Sequence, residues 1–146
     1  MKKILVTGHC GYTGTQLIKK LLAKNYIVIG IDTMWYHELK LNHKNFISKK
    51  LDIRNLSKFD FPEDIDSVFH LANIANDPSV ELNEKLSWEV NVLAGYQLIE
   101  KCVEKKVKKF IFASSGSVYG LKDEDKVTED LNLIPISAYN KTKNDC

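Results

Sequence analysis

Residues 6–14 read VTGHCGYTG, and the fold turns on what that stretch is for. Val6 belongs to a short apolar run, KILVT at Lys3–Thr7, which has the composition of a buried strand. Gly8, Gly11 and Gly14 follow at G-x-x-G-x-x-G spacing and lead into a helical pattern. Glycine permits the tight turn, lets backbone approach a pyrophosphate and lets a helix pack closely on a strand. A helix opening there presents free N–H groups and partial positive charge to phosphates. Asp32 ends the next apolar run, about 20 residues on, where a carboxylate takes adenosine ribose hydroxyls. The alternative is an ordinary strand–helix turn with Asp32 as a strand cap. His9 and Cys10 read as spacers in the loop, not as ligands or nucleophiles.

Working outward, short apolar runs alternate with longer helical patterns, which argues for βαβ units and a parallel sheet. A helix is expected from about Tyr12 to Asn25, burying Leu17, Ile18, Leu21 and Leu22 and showing Lys19, Lys20 and Lys24 to water. Further strands are expected at Ile27–Ile31, Phe46–Leu51, Asp66–Leu71 and Lys109–Ser114. A long helix should span about Asn83–Lys106. Its stripe is Trp88, Val92, Ile99 and Val103, widened by Leu82, Leu86, Val90 and Leu93. A surface helix needs only one apolar face, so the extra width points to a second cover, either a partner subunit or a loop of the same chain.

Composition narrows the class. The chain has 146 residues, 44% apolar and 27% charged, enough for one soluble domain with a core. No apolar run approaches the roughly 18–20 residues of a membrane span, and the apolar stretch in MKKILVTG is too short for a signal peptide. The three cysteines, Cys10, Cys102 and Cys146, show no metal-ligand spacing, so no metal is expected, and a reducing cytoplasm fits them. The net charge of +2 rests on scattered lysines and one arginine, Arg54, which argues against nucleic-acid binding.

The chemistry-bearing residues of the second half lie in FASSGSVYG at 112–120 and in SAYNKTKNDC at 137–146. Ser114, Ser115 and Ser117 follow the last strand and so fall on the glycine loop's side of the sheet. No histidine triad and no G-x-S-x-G elbow accompanies them, so a hydroxyl here donates a hydrogen bond rather than attacks. Tyr139 and Lys143 stand one helical turn apart, an acid–base pair or simply a solvated face.

Together these residues resemble the extended short-chain dehydrogenase/reductase family, in particular its nucleotide-sugar epimerase and dehydratase branch. The matching segments are TGHCGYTG at 7–14, Asp32, LDIR at 51–54, HLAN at 70–73, NVLAG at 91–95, SSGSVYG at 114–120 and YNKTK at 139–143. The resemblance implies an α/β fold, a doubly wound parallel sheet of Rossmann type. Residues 1–146 would form an NAD-binding domain that ends before the last strands and the substrate domain. It implies NAD as cofactor and a nucleotide sugar as substrate. Gly8, Gly11 and Gly14, with Tyr12 and Thr13, would meet the pyrophosphate. Asp32 would hold the adenosine ribose, Asp52 and Ile53 would flank adenine, and Leu71, Ala72, Asn73 and Asn91 would line or support the cofactor. Ser115, Tyr139 and Lys143 would be catalytic, with Tyr139 and Lys143 also touching cofactor. A homodimer through the 83–106 helix and the helix beginning near 137 is expected.

In the family mechanism Tyr139 takes a proton from a sugar hydroxyl as hydride passes to NAD, while Ser115 hydrogen-bonds the same oxygen. A tyrosine has an unperturbed pKa of about 10, and a neighbouring ammonium favours the phenolate. Asp32, with no arginine in Thr33–Trp35 beside it, favours NAD over NADP. Gly116 and Ser117 stand where dehydratase relatives carry Asp-Glu, which points away from water elimination. Asn73 departs from the commoner HLAA or HLAG, and the segment 73–81 borders either the sugar site or a helix entry. The 146-residue chain by itself is expected not to turn over a sugar nucleotide.

Overall fold

The computed structural model describes residues 1–146. Five strands form one parallel sheet: β1 (Lys3–Thr7), β2 (Ile27–Asp32), β3 (Phe46–Lys50), β4 (Ile65–His70) and β5 (Lys109–Phe112), in the order β3-β2-β1-β4-β5. β1 lies at the centre, and the chain winds one way to β2 and β3, then the other way to β4 and β5. A crevice therefore opens beyond the carboxyl ends of β1 and β4, the switch point at which such sheets bind ligands.

β1 is buried on both faces, as a central parallel strand must be. Ile4 and Val6 pack under helix α1 (Tyr12–Ala23) with Ile18, Leu21, Leu22 and Val28. Leu5 points the other way, into a larger cluster with Ile29, Ile31, Val68, Leu98 and Cys102. Two short helices, α2 (Asp77–Glu81) and α3 (Glu84–Trp88), precede α4 (Ala94–Glu104) on that second face, and α5 (Ala138–Asn144) ends the chain. No helix is long and apolar enough to cross a membrane.

Three expectations need correction. The strands expected to run to Leu51, Leu71 and Ser114 stop at Lys50, His70 and Phe112, although Ala113 N–H still reaches the His70 carbonyl at 3.2 Å. The helix expected from Asn83 starts there, with the Asn83 side chain accepting from Leu86 N–H at 2.9 Å, but it contains a π turn at Glu89–Leu93. Val90 and Val92 are buried as expected, joined by Ala94, Leu98 and Cys102, but Trp88 and Ile99 are only half-buried, and Val103 and Leu82 are largely exposed. A spacing of four precesses by about 40° per step around a regular α-helix, and the wider π turn takes up part of that drift.

Candidate functional site: a cleft at the switch point

Gly8 leaves β1 with φ +70°, a left-handed backbone, and its N–H donates to the Ile31 carbonyl at 2.9 Å. A Cβ there would lie 2.6 Å from the Ala72 nitrogen, so the loops after β1 and β4 touch only because Gly8 has no side chain. A Cβ on Gly14 would lie 2.3 Å from the Gly8 carbonyl oxygen, which fixes how closely α1 packs on the loop. Gly11 is the N-cap of α1 and supplies no side-chain cap. The first N–H groups of that helix therefore remain available to a ligand, and Tyr12 and Thr13 beside them are exposed.

Thr7 and His70 bind the two central strand ends together. Thr7 Oγ1 accepts from Leu71 N–H at 3.2 Å and from Ala72 N–H at 3.1 Å, and it lies 2.7 Å from His70 Nδ1. Both lone pairs of the hydroxyl are taken, so its proton goes to Nδ1 and the imidazole hydrogen sits on Nε2. Burial pulls the His70 pKa down to about 4, and the Lys143 charge acts in the same sense.

A cavity of about 710 Å³ follows. Gly8, Gly11, Tyr12, Asp32, Asp52, Ile53, Leu71, Ala72 and Asn73 line it, so most of the residues expected to meet the cofactor share one cleft. Thr13, Gly14 and Asn91 do not line it. Asp32 accepts from Cys10 N–H at 3.0 Å and Met34 N–H at 2.7 Å, clamping the glycine loop to the end of β2 while each oxygen keeps a free lone pair. Asp52 is paired with Arg54, whose guanidinium also reaches Glu89, and the Arg54 hydrogen bonds hold the Asp52 carboxyl below its ordinary value. Asn73 donates to the Ile74 carbonyl at 2.9 Å, leaving its buried Oδ1 without a partner.

Asn91, within the π turn, is buried and acts at one remove. Its Oδ1 accepts from Ile74 N–H at 2.8 Å, and its Nδ2 donates to the Ile74 carbonyl and to Thr142 Oγ1, each at 3.1 Å. It thus ties a wall of the cleft to α5. Thr142, itself fully buried, donates in turn to the Tyr139 carbonyl at 2.8 Å.

Ser115, Tyr139 and Lys143 lie outside the cavity lining, in adjoining segments. Ser115 caps a 3-10 turn at Gly116–Tyr119 against which α5 packs, and its hydroxyl is 2.7 Å from that of Ser117. Tyr139 is half-buried. Lys143 is buried, donates to the Ala113 carbonyl at 2.7 Å and sits 4.7 Å above the Phe112 ring. Burial pulls its pKa down to about 8, against an opposing effect of Cys146. The arrangement offers a hydroxyl, a phenol and an ammonium beside a dinucleotide-sized cleft.

His9 and Cys10 are more than the spacers that the sequence suggests. Both are buried, and His9 Nε2 pairs with Ser48 Oγ at 2.8 Å and lies 3.4 Å from Cys10 Sγ. Burial is the largest influence on each, lowering the His9 pKa and raising that of Cys10. Thr7 and Thr142 are anchors that sequence reasoning misses. Their only signal is a small hydroxyl residue next to each motif's key position, too common a pattern to single out.

Residues 4–145 match the model of the NAD dependent epimerase/dehydratase family. A protein of Bacillus subtilis (strain 168) described as an uncharacterized UDP-glucose epimerase, YtcB, is 37% identical over 97% of this chain and 48% of its own length. The solved UDP-N-acetylglucosamine 4-epimerase from Methanobrevibacter ruminantium M1, in complex with UDP-N-acetylmuramic acid, superposes with a TM-score of 0.89 at 30% identity, over 98% of this chain and 47% of that one. The UDP-glucose 4-epimerase of Thermus thermophilus, in complex with NAD, gives a TM-score of 0.83 at 28% identity, over 97% and 47%. The chain spans about half the length of the curated relatives it matches. With its glycine loop, switch-point cleft and Tyr-Lys helix in that order, the chain belongs to the NAD dependent epimerase/dehydratase family.

Proposed function

We propose that this chain supplies the cofactor-binding half of an NAD-dependent nucleotide-sugar 4-epimerase. The observation that carries the reading is the cradle itself. Gly8 has no room for a Cβ, the first turn of α1 is uncapped, and Asp32 lines the same cleft beside the glycine loop. Those residues fit a dinucleotide: the loop N–H groups would meet the pyrophosphate, Asp32 the adenosine ribose, and Asp52 and Ile53 the adenine. NAD, when bound, supplies a hydride acceptor that can return the hydride to either face of a sugar carbon. Tyr139 would hold or take the sugar hydroxyl proton, Ser115 would donate a hydrogen bond to that oxygen, and Lys143 would favour the phenolate.

The 4-epimerase activity of the solved relatives favours epimerisation at C4 over a net oxidation, and Gly116 and Ser117 offer no acid–base pair for water elimination. The nucleotide sugar would bind beyond this half. Leu93, Tyr96 and Val103 are exposed along one side of the π turn and α4, which supports a homodimer through that helix and α5. Three free cysteines and no disulfide agree with a cytoplasmic setting.

Calorimetric titration of NAD and NADP into the chain tests the cofactor reading. NAD should bind more tightly, and Asp32→Ala should narrow the gap. Equal or tighter binding of NADP to the unaltered chain would show the ribose assignment to be wrong.

A further inference from the structure

We propose that His9, Cys10 and Asp32 form a binding site for a borderline-soft divalent cation of the zinc class, filled in competition with the dinucleotide. One ligand atom from each residue lies within 4.8 Å of the other two. The His9 Nε2 to Cys10 Sγ separation of 3.4 Å is close to the roughly 3.6 Å that tetrahedral zinc, with its bond lengths to nitrogen and sulfur, requires. Imidazole and thiol together select against magnesium and calcium, which take oxygen ligands.

The surroundings already hold the three groups. Leu39 N–H points at Cys10 Sγ at 3.4 Å, as N–H donors do around metal-bound thiolates. The Asp32 oxygens are fixed by Cys10 N–H and Met34 N–H, with one lone pair left on each. The His9 ring is wedged between Gly30 and Phe46: a Cβ on Gly30 would lie 2.5 Å from its Cγ, and the Phe46 ring meets it edge-on at 5.8 Å. Cys10 and Asp32 also line the cleft, so the fourth position can face water.

Binding needs no oxidant. The Cys10 S–H bond breaks and its proton leaves to solvent as the sulfur–metal bond forms. His9 Nε2 releases the Ser48 hydroxyl and gives its lone pair to the metal, keeping its hydrogen on Nδ1. Asp32 contributes an oxygen lone pair that a ribose hydroxyl would otherwise engage. The competition, though not the site, rests on Asp32 being the ribose anchor.

Cobalt(II), titrated into the reduced 146-residue chain, is the probe. A thiolate-to-cobalt charge-transfer band should grow to one equivalent. Cys10→Ala should abolish it, Asp32→Asn should weaken cobalt binding at least about tenfold, and Cys102→Ala and Cys146→Ala should leave it intact. Zinc should bleach the band, and saturating NAD should weaken cobalt binding. No band, or a band that survives Cys10→Ala, would overturn the site. NAD that binds by calorimetry yet leaves cobalt affinity unchanged would overturn the competition. A Cys10-dependent band in a chain that binds no NAD would support the cation site and sink the cofactor reading.

Discussion

The cleft and the α5 segment beside it are built from different materials. At the glycine loop the shape is set by what is missing: side chains at Gly8 and Gly14 and a cap on α1. At α5 it is set by interlocked buried polar groups, Ile74 with Asn91, Asn91 with Thr142, and Lys143 with the Ala113 carbonyl. The first turns on a few neighbouring residues of one loop, packed against the backbone of Leu71 and Ala72. The second requires partners from four separate segments, so a change in any of them reaches Tyr139. One end is rigid by exclusion and the other by satisfied hydrogen bonds, and the two fail differently.

The largest effect is expected for Gly8→Ala, at the end that is rigid by exclusion. A left-handed backbone costs a residue with a Cβ about 1–2 kcal/mol, and the new carbon must displace Ala72 backbone, which cannot rotate away. A total loss of about 3–4 kcal/mol is expected in denaturant unfolding. A loss below about 1 kcal/mol, the centre of the range for ordinary substitutions, would mean that the loop is not rigid by exclusion.

Lys143→Met should act the opposite way and raise stability. The folded pKa of about 8 lies below the ordinary 10.5. Below pH 8 both states hold the proton, and the fold carries the full cost of a buried ammonium. Between pH 8 and 10.5 the unfolded chain keeps a proton that the folded chain has lost, so stability rises with pH. At about pH 7 the exchange should gain about 2 kcal/mol, the pKa difference at about 1.36 kcal/mol per unit less the lost hydrogen bond. Near pH 10.5 the ammonium cost is gone, and the lost hydrogen bond should leave the exchange slightly destabilising. A gain independent of pH would place the ammonium in water.

Thr142→Val is the smaller test of the polar end. It removes the acceptor for one Asn91 Nδ2 hydrogen and the donor to the Tyr139 carbonyl, without opening a cavity. Urea unfolding should show a loss of about 1–2 kcal/mol, with Thr142→Ser retaining most of the stability. If serine fares no better than valine, methyl packing rather than the hydroxyl holds α5.

This division also explains what is legible without the structure. The glycine spacing, Asp32 and the apolar strands are local patterns, and the parallel sheet and most of the cleft lining follow from them. The phase of the long helix does not, because a π turn leaves no mark in apolar periodicity: Val103 fits a regular stripe and still faces water. Asn91 is recognisable as important, but its partners Ile74 and Thr142 lie 17 and 51 residues away. His9 and Cys10 pass for spacers because Asp32, which completes their group, is 22 residues beyond Cys10 in sequence.

The pairing of Thr7 with His70 has a spectroscopic consequence. A hydroxyl with both lone pairs engaged leaves the imidazole a single tautomer, with Nε2–H buried and without an acceptor. Such a proton is shielded from solvent and cannot hop between ring nitrogens. In nuclear magnetic resonance it would give one slowly exchanging imidazole signal, and its exchange rate would time the opening of the sheet between β1 and β4.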